Sequence, residues 1–485
     1  MKRMMILLLT LALLLALPGC GKTEGEDASL DSDRGFIHYA NFMTQICATE
    51  DAVYFTSGDL VHYYDKASGV SGVLCGKPEC EHSTAPGSGC NAYINSISQN
   101  LCVYNNRLYW VNGAASRKSI YSMALDGTDH RTEREVGSEV YSSHHGLTSA
   151  IFHRGHAYIY VENYSVRDGE EIITIDLAAV PLDPDGEIHM IFSEEISAYA
   201  STHGSSVILQ AYGDELYILT NFTVGGPGDE GYSGIFDFQI RRYNAAAREL
   251  TTLYHDSQSP LTYTNELWAM DDGIVLFGDE YQTGEDGGVE LECGIYRFDF
   301  ESGELTAQFS LPRAAAIAED LVVISQYVSA RSNPSNPWGL ELAPQDIERS
   351  GEFHVTMWNF AGEVLLEDTY PLAGFHRFPS FCGSDGTYAY FISDETYSDN
   401  DHKGTTRYMS LIGVALDGSG MEVLCQEEEY YQYTGTHGSS QYTTTLDDGT
   451  TIIVKNMETI TIIPGDGGET VTITVEELLE NGWQP

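Results

Sequence analysis

Three cysteines and a histidine fall within one short stretch, "LCGKPECEHSTAPGSGCNAYI" at residues 74–94. Cys75, Cys80, His82 and Cys90 follow a C-x4-C-x-H-x7-C spacing. Three thiolates and an imidazole are the donor set of a Cys3His zinc site, because zinc takes soft sulfur and borderline nitrogen ligands in a tetrahedron. The spacing is not one of the common zinc-finger spacings. The competing chemistry is oxidation, for example Cys80 to Cys90 and Cys75 to Cys102. In an exported chain disulfides stand slightly ahead of metal. On either reading the residues staple a long loop and carry no catalysis.

A second set of groups is dispersed. His144, His145, His203, His376 and His437 lie in connections rich in Gly and Ser, where imidazoles could converge as metal ligands or acid–base groups. The competing role is local, with His, Gly and hydroxyl residues satisfying backbone groups inside a turn. Tyr232, Tyr281, Trp338 and Tyr397 stand among carboxylates in long connections, placed to stack on sugars or hold cations. No G-x-S-x-G, H-E-x-x-H or G-x-x-x-x-G-K-[ST] motif is present.

The formal charge of −48, from 72 acidic and 24 basic residues, excludes nucleic acid as a partner. At the N-terminus, Lys2 and Arg3 precede an apolar run from Met4 to Leu17 that ends in "LPGC". That order resembles a bacterial lipobox and implies a signal peptide over 1–19, lipidation of Cys20 and an acidic tether over 20–35. The expected location is the outer face of the cytoplasmic membrane of a Gram-positive cell, with the lipid as membrane partner.

The elements that must position these groups come from a hidden repeat. Eight times, a tight turn precedes an apolar β-rich run, as in "YNNRLYW", "YGDELYIL" and "MDDGIVLF", and a second hairpin follows. The units span about 44–75, 99–136, 147–193, 205–255, 264–311, 314–371, 379–428 and 441–475. Four strands, A to D, per unit predict an all-β fold, a β-propeller of four-stranded blades over 36–475. Eight blades are expected. The alternative is a seven-bladed ring with the last unit as an appendage. "FIHYANF" at 36–42 is expected to help close the ring, and 476–485 to form a short C-terminal helix or tail. The pentapeptide Thr-His-Gly-Ser-Ser, at Thr202 and again at Thr436, enters units four and eight. In an eight-bladed ring these would be opposite.

The 74–94 segment, the lipobox and "VYFTSGDLVHYYDKASG" together resemble a group of uncharacterised β-propeller lipoproteins of Firmicutes. The resemblance implies a propeller and a cell-surface site but no activity. Two functions follow from the sequence. One is a lipid-anchored binding scaffold for a glycan, peptide or envelope protein, its ligand on the face formed by the D–A and B–C loops. The alternative is an extracytoplasmic lyase or hydrolase with histidines and acids at the channel mouth. Binding is favoured, and with it a protein that is not an enzyme.

Overall fold

The computed structural model describes residues 46–57, 60–82, 89–94, 99–112, 118–137, 140, 145–167, 170–196, 205–224, 236–259, 261–263, 267–283, 289–312, 315–318, 320–329, 351–371, 379–398, 404–432, 441–445, 451–455, 459–463 and 471–474. They form eight antiparallel sheets, each a meander of consecutive strands. Strands A to D of the first sheet are Ile46–Ala48, Ala52–Ser57, Leu60–Asp65 and Ser71–Val73. The following sheets occupy residues 99–136, 145–196, 205–259, 261–311, 316–371, 380–432 and 441–474. In the fifth, strand A is broken into Leu261–Tyr263 and Leu267–Ala269, both paired to strand B.

Seven of these sheets close the ring. Each strand A packs on the strand A of the next blade, and Ile46–Ala48 of blade 1 packs on Ser380–Ser384 of blade 7. The seam between blades 7 and 1 has its own core. Ile46, Val53 and Phe55 of blade 1 meet Cys382, Tyr390, Ile392, Met409, Leu411 and Cys425 of blade 7. The expectation of eight blades is therefore corrected to seven. Among the described residues, the sheet at 441–474 takes no place between blades. The two Thr-His-Gly-Ser-Ser loops consequently do not enter opposite blades of one ring.

The ring blades share a turn chemistry. In each ring blade an Asp or Asn at the end of strand C, or within two residues beyond it, accepts a backbone N–H from two or three residues on with its side-chain oxygen. Asp65, Asp126, Asp183, Asn244, Asp299, Asn359 and Asp417 do this at 2.7–3.1 Å. Such Asx turns reverse the chain tightly. In the eighth unit the corresponding turn, Pro-Gly-Asp after Ile463, lies outside the described residues. A chain ended at residue 440 is expected to unfold within about 2 °C of the full-length protein in calorimetry. An eighth ring blade would make that truncation collapse the fold.

The same turns give a pH dependence. Hydrogen bonds from Ser68 and Thr128 hold Asp65 and Asp126 below the usual carboxylate range, and those from Ser302 and Ser419 do so for Asp299 and Asp417. A folded-state value below the unfolded one adds stability above the unfolded value, and that stability is lost as pH falls through the folded one. The melting temperature should hold from pH 8 to about 5 with respect to these groups and decline below about 4. A melting temperature that rises on acidification to pH 3 would contradict this.

Every blade is one contiguous run of strands, so no described strand from one terminus completes a blade at the other. The segment 36–42, expected to help, lies outside the described residues. Closure rests instead on the apolar seam and a polar latch. Lys66 Nζ pairs with Asp385 and donates to Thr49 O at 2.7 Å. It also stands 5.6 Å from the centroid of the Tyr390 ring. Tyr390 Oη donates to the same Asp385 at 2.6 Å.

Candidate metal centre

The 74–94 segment connects strand D of blade 1 to strand A of blade 2 and is fastened to both. On blade 1, Val61 N donates to Ala92 O and Leu74 N to Val61 O, each at 2.9 Å, and Leu60 bridges Tyr93. On blade 2, one carbonyl takes two hydrogen bonds. Gly127 O accepts from Gly76 N at 2.9 Å and from Asn91 Nδ2 at 2.8 Å. Gly127 is needed there. Its φ is +77°, and a Cβ would lie 2.7 Å from Gly76 N and 2.9 Å from Cys75 N. Gly127→Ala should cost about 2 kcal/mol through strain and lost contacts, read as a lower denaturation midpoint. A neutral result would show that the loop does not dock on this turn.

Within this fastened segment, Cys75 Sγ, Cys80 Sγ, a His82 ring nitrogen and Cys90 Sγ all lie within 4.8 Å of one another. Cys90 Sγ is 3.8 Å from His82 Nδ1. A tetrahedron with Zn–S of about 2.3 Å and Zn–N of about 2.0 Å needs donor separations of about 3.5–3.8 Å. The cluster therefore needs only a sub-ångström to one-ångström contraction to hold such an ion. Glu79 and His82 adopt left-handed backbone, at φ of +62° and +51°. That region costs a non-Gly residue about 1–2 kcal/mol, and here it wraps the chain so that Cys80 and His82 face Cys75 and Cys90.

The electrostatics also suit a cation. Burial would raise the Cys75 thiol, but hydrogen bonds from the amides of Lys77 and Asn91 and from the thiols of Cys80 and Cys90 carry it below its ordinary value. Cys90 is pushed up to about 12, first by burial and then by the neighbouring cysteines. One thiolate is thus favoured and a second opposed. A divalent ion removes the conflict by supplying the positive charge that lets all three ionise. Cys90 is buried and the other three donors are partly exposed, so an ion can enter from solvent.

All eight described cysteines are free thiols. The pairing of Cys75 with Cys102 is corrected by position. Cys102 is buried in strand A of blade 2, its thiol held up by burial and by nearby Cys47, while Cys75 belongs to the loop cluster. Cys47, Cys102 and Cys382 pack in A strands as expected.

The remaining expected site residues fall outside the described residues or in paired strands. Cys20, His144, His203, His376, His437, Tyr232 and Trp338 lie outside the described residues. His145 opens strand A of blade 3, opposite Asn163. Tyr281 and Tyr397 were expected in loops. They sit instead in paired strands, opposite Leu291 and Thr406. Here the long connections that carry them continue strands B and C as ribbons, Gly273–Thr283 with Val289–Asp299 and Tyr388–Ser398 with Gly404–Ala415. Blade 3 does the same, pairing from His156↔Pro181 to Arg167↔Glu170. Alternating residues with β-branched and aromatic members on both strands carried that signal in the sequence.

The fold and site define a propeller with a thiol–imidazole cluster at its first seam. No protein-family model matches the chain, and no curated protein matches it. Among solved structures it is similar to the uncharacterized protein lmo1340 from Listeria monocytogenes EGD-e, at 9% identity over 76% of this chain and 91% of that one, TM-score 0.33. It is also similar to a puromycin-hydrolyzing peptidase of Mycobacterium tuberculosis, at 12% identity over 90% of this chain and 62% of that one, TM-score 0.38. A third is the β-propeller domain of the Trilobed protease from Pyrococcus furiosus, at 12% identity over 66% and 80%, TM-score 0.27. These likenesses carry no argument about activity, and the fold stands on the strand pairing above.

Proposed function

We propose that the protein is a lipid-anchored propeller that serves as a binding scaffold at the outer face of the cytoplasmic membrane. Cys20 carries the anchor, and a glycan, peptide or envelope protein binds on the D–A and B–C face. One observation supports this most. The A–B and C–D turns are short and tied between blades, as where Gly155 N donates to Tyr104 Oη at 2.6 Å and Tyr212 Oη to Asp271 Oδ1 at 2.6 Å. The opposite ends of blades 3, 5 and 7 are drawn out into two-stranded ribbons. A rigid ring elaborated on one face is the arrangement by which scaffolds present binding surfaces.

The Cys75, Cys80, His82 and Cys90 donors hold one structural zinc ion that rivets blade 1 to blade 2. The hydrogen bonds that fasten the segment to both blades suit a structural ion. Two experiments test the reading. Cys20→Ser should move the protein from the membrane fraction to the medium, and retention on the membrane would contradict the anchor. Replacing the ribbon ends 164–173, 281–291 and 396–406 with tight turns should abolish binding on a glycan and peptide array with the fold intact. Unchanged binding would contradict the assignment of the face.

A further inference from the structure

The cysteine–histidine segment is an excursion out of one strand. Strand D of blade 1 pairs with strand C as His62↔Val73, Tyr63↔Gly72 and Tyr64↔Ser71. Carried on in that register, an unbroken strand would set Cys75 against Leu60. Tyr93 stands there instead. The chain therefore leaves the sheet after Leu74 and rejoins it at Ala92. Val61 holds both sides of the break, its O accepting from Leu74 N and its N donating to Ala92 O, each at 2.9 Å. Gly127 O clasps the two sides again, through Gly76 N and Asn91 Nδ2.

Cys75 and Cys90 are the first and last donors of the excursion, and each adjoins a residue held at the break. Leu60, Cys90 and Ala92 are buried together, and Val73, Cys75, Cys80 and Tyr93 pack against them. Backbone bonds and apolar packing thus hold the Cys75 and Cys90 sulfurs within 4.8 Å of each other. Cys75 is partly exposed and Cys90 is buried, so a small oxidant meets Cys75 before Cys90.

We propose that Cys75 and Cys90 carry two interchangeable staples, the zinc ion in reducing surroundings and a disulfide in oxidising ones. The inference rests on the zinc reading of this cluster and adds its regulation. The oxidant is a low-molecular-weight disulfide. Cys75 Sγ, as thiolate, attacks one of its sulfurs, the S–S bond breaks and one small thiolate leaves. Cys90 Sγ, as thiolate, then attacks Cys75 Sγ, forms the bond between the two cysteines and expels the second small thiolate. The protein gives up two electrons, and the small disulfide takes them and becomes two thiolates. The ion is left with Cys80 and His82, half of its four protein donors. It dissociates, because a structural zinc site is closed by four. An excess of small thiol reverses the sequence. The base of the excursion stays closed throughout, so blade 1 stays tied to blade 2 in both states.

The test uses the full-length protein, reduced, loaded with zinc and then exposed to glutathione disulfide. A chromogenic chelator reads released zinc, thiol counting reads oxidation, and peptide mapping reads the bond. Zinc and thiols should be lost together, one ion for two thiols, with the bond mapped to Cys75 and Cys90. Reduction and fresh zinc should restore the ion. Cys80→Ser should still form the same bond. Hydrogen exchange should keep its protection at the Gly127 turn in the oxidised protein, where Cys90→Ser loses it. Zinc retained in excess glutathione disulfide, zinc released with every thiol intact, a bond that uses Cys80, or lost protection at Gly127 would overturn the inference and leave the zinc reading standing. Reduced protein that takes up no zinc would overturn the zinc reading and the inference with it.

Discussion

Cys90→Ser is expected to abolish stoichiometric zinc binding and to destabilise the protein by about 3 kcal/mol. In small zinc modules, metal binding supplies about 10–16 kcal/mol because the apo chain is unfolded. Here the effect is smaller. The seven-bladed core folds on its own apolar seams, and the segment is already held at Gly127 and Ala92. On the proposed zinc reading, the metal would contribute what remains, relief of the thiol crowding at Cys75 and Cys90. Hydrogen exchange should show lost protection at 74–94 and at the Gly127 turn, with blades 3 to 6 unchanged. Cys293→Ser is the control, because Cys293 is buried in blade 5 near Asp279 and outside the cluster. It should lose stability and keep zinc. Zinc retained by Cys90→Ser would place the ion elsewhere.

Asp385→Ala is expected to cost about 2–3 kcal/mol and to loosen the seam between blades 7 and 1. Removing the carboxylate strands two partners, the Lys66 ammonium and the Tyr390 hydroxyl. Breaking a buried pair costs about 3–5 kcal/mol, and this one is partly exposed, at 19% and 15% for the two side chains, so the lower range applies. Burial alone would raise the Asp385 carboxyl, but hydrogen bonds from Lys66, Tyr390 and the Tyr388 and Thr387 amides bring it below the usual range. Its contribution is therefore present above the unfolded carboxylate value and lost as pH falls through the folded one. The difference in unfolding free energy between wild type and Asp385→Asn should shrink below about pH 4. A constant difference down to pH 2 would show that the pair does not titrate with unfolding.

The four-strand repeat was legible because each strand B alternates or runs apolar after a tight turn, and that pattern is local. The number of blades was not, because the eighth unit has the same local pattern, with strands such as Thr451–Lys455 and Thr459–Ile463. Ring membership is decided by which strand A packs on which, a long-range fact. The cysteine–histidine cluster was legible as a donor set from spacing alone. Its choice between metal and disulfide was not, because both need sulfurs close in space.

The most direct test of the account is metal analysis with thiol counting on the purified mature protein. One zinc per chain is expected, released by a chelator, with all eight cysteines beyond Cys20 reacting as free thiols once the protein is denatured. No bound metal and two fewer reactive thiols, traced to a bond between Cys80 and Cys90, would contradict it.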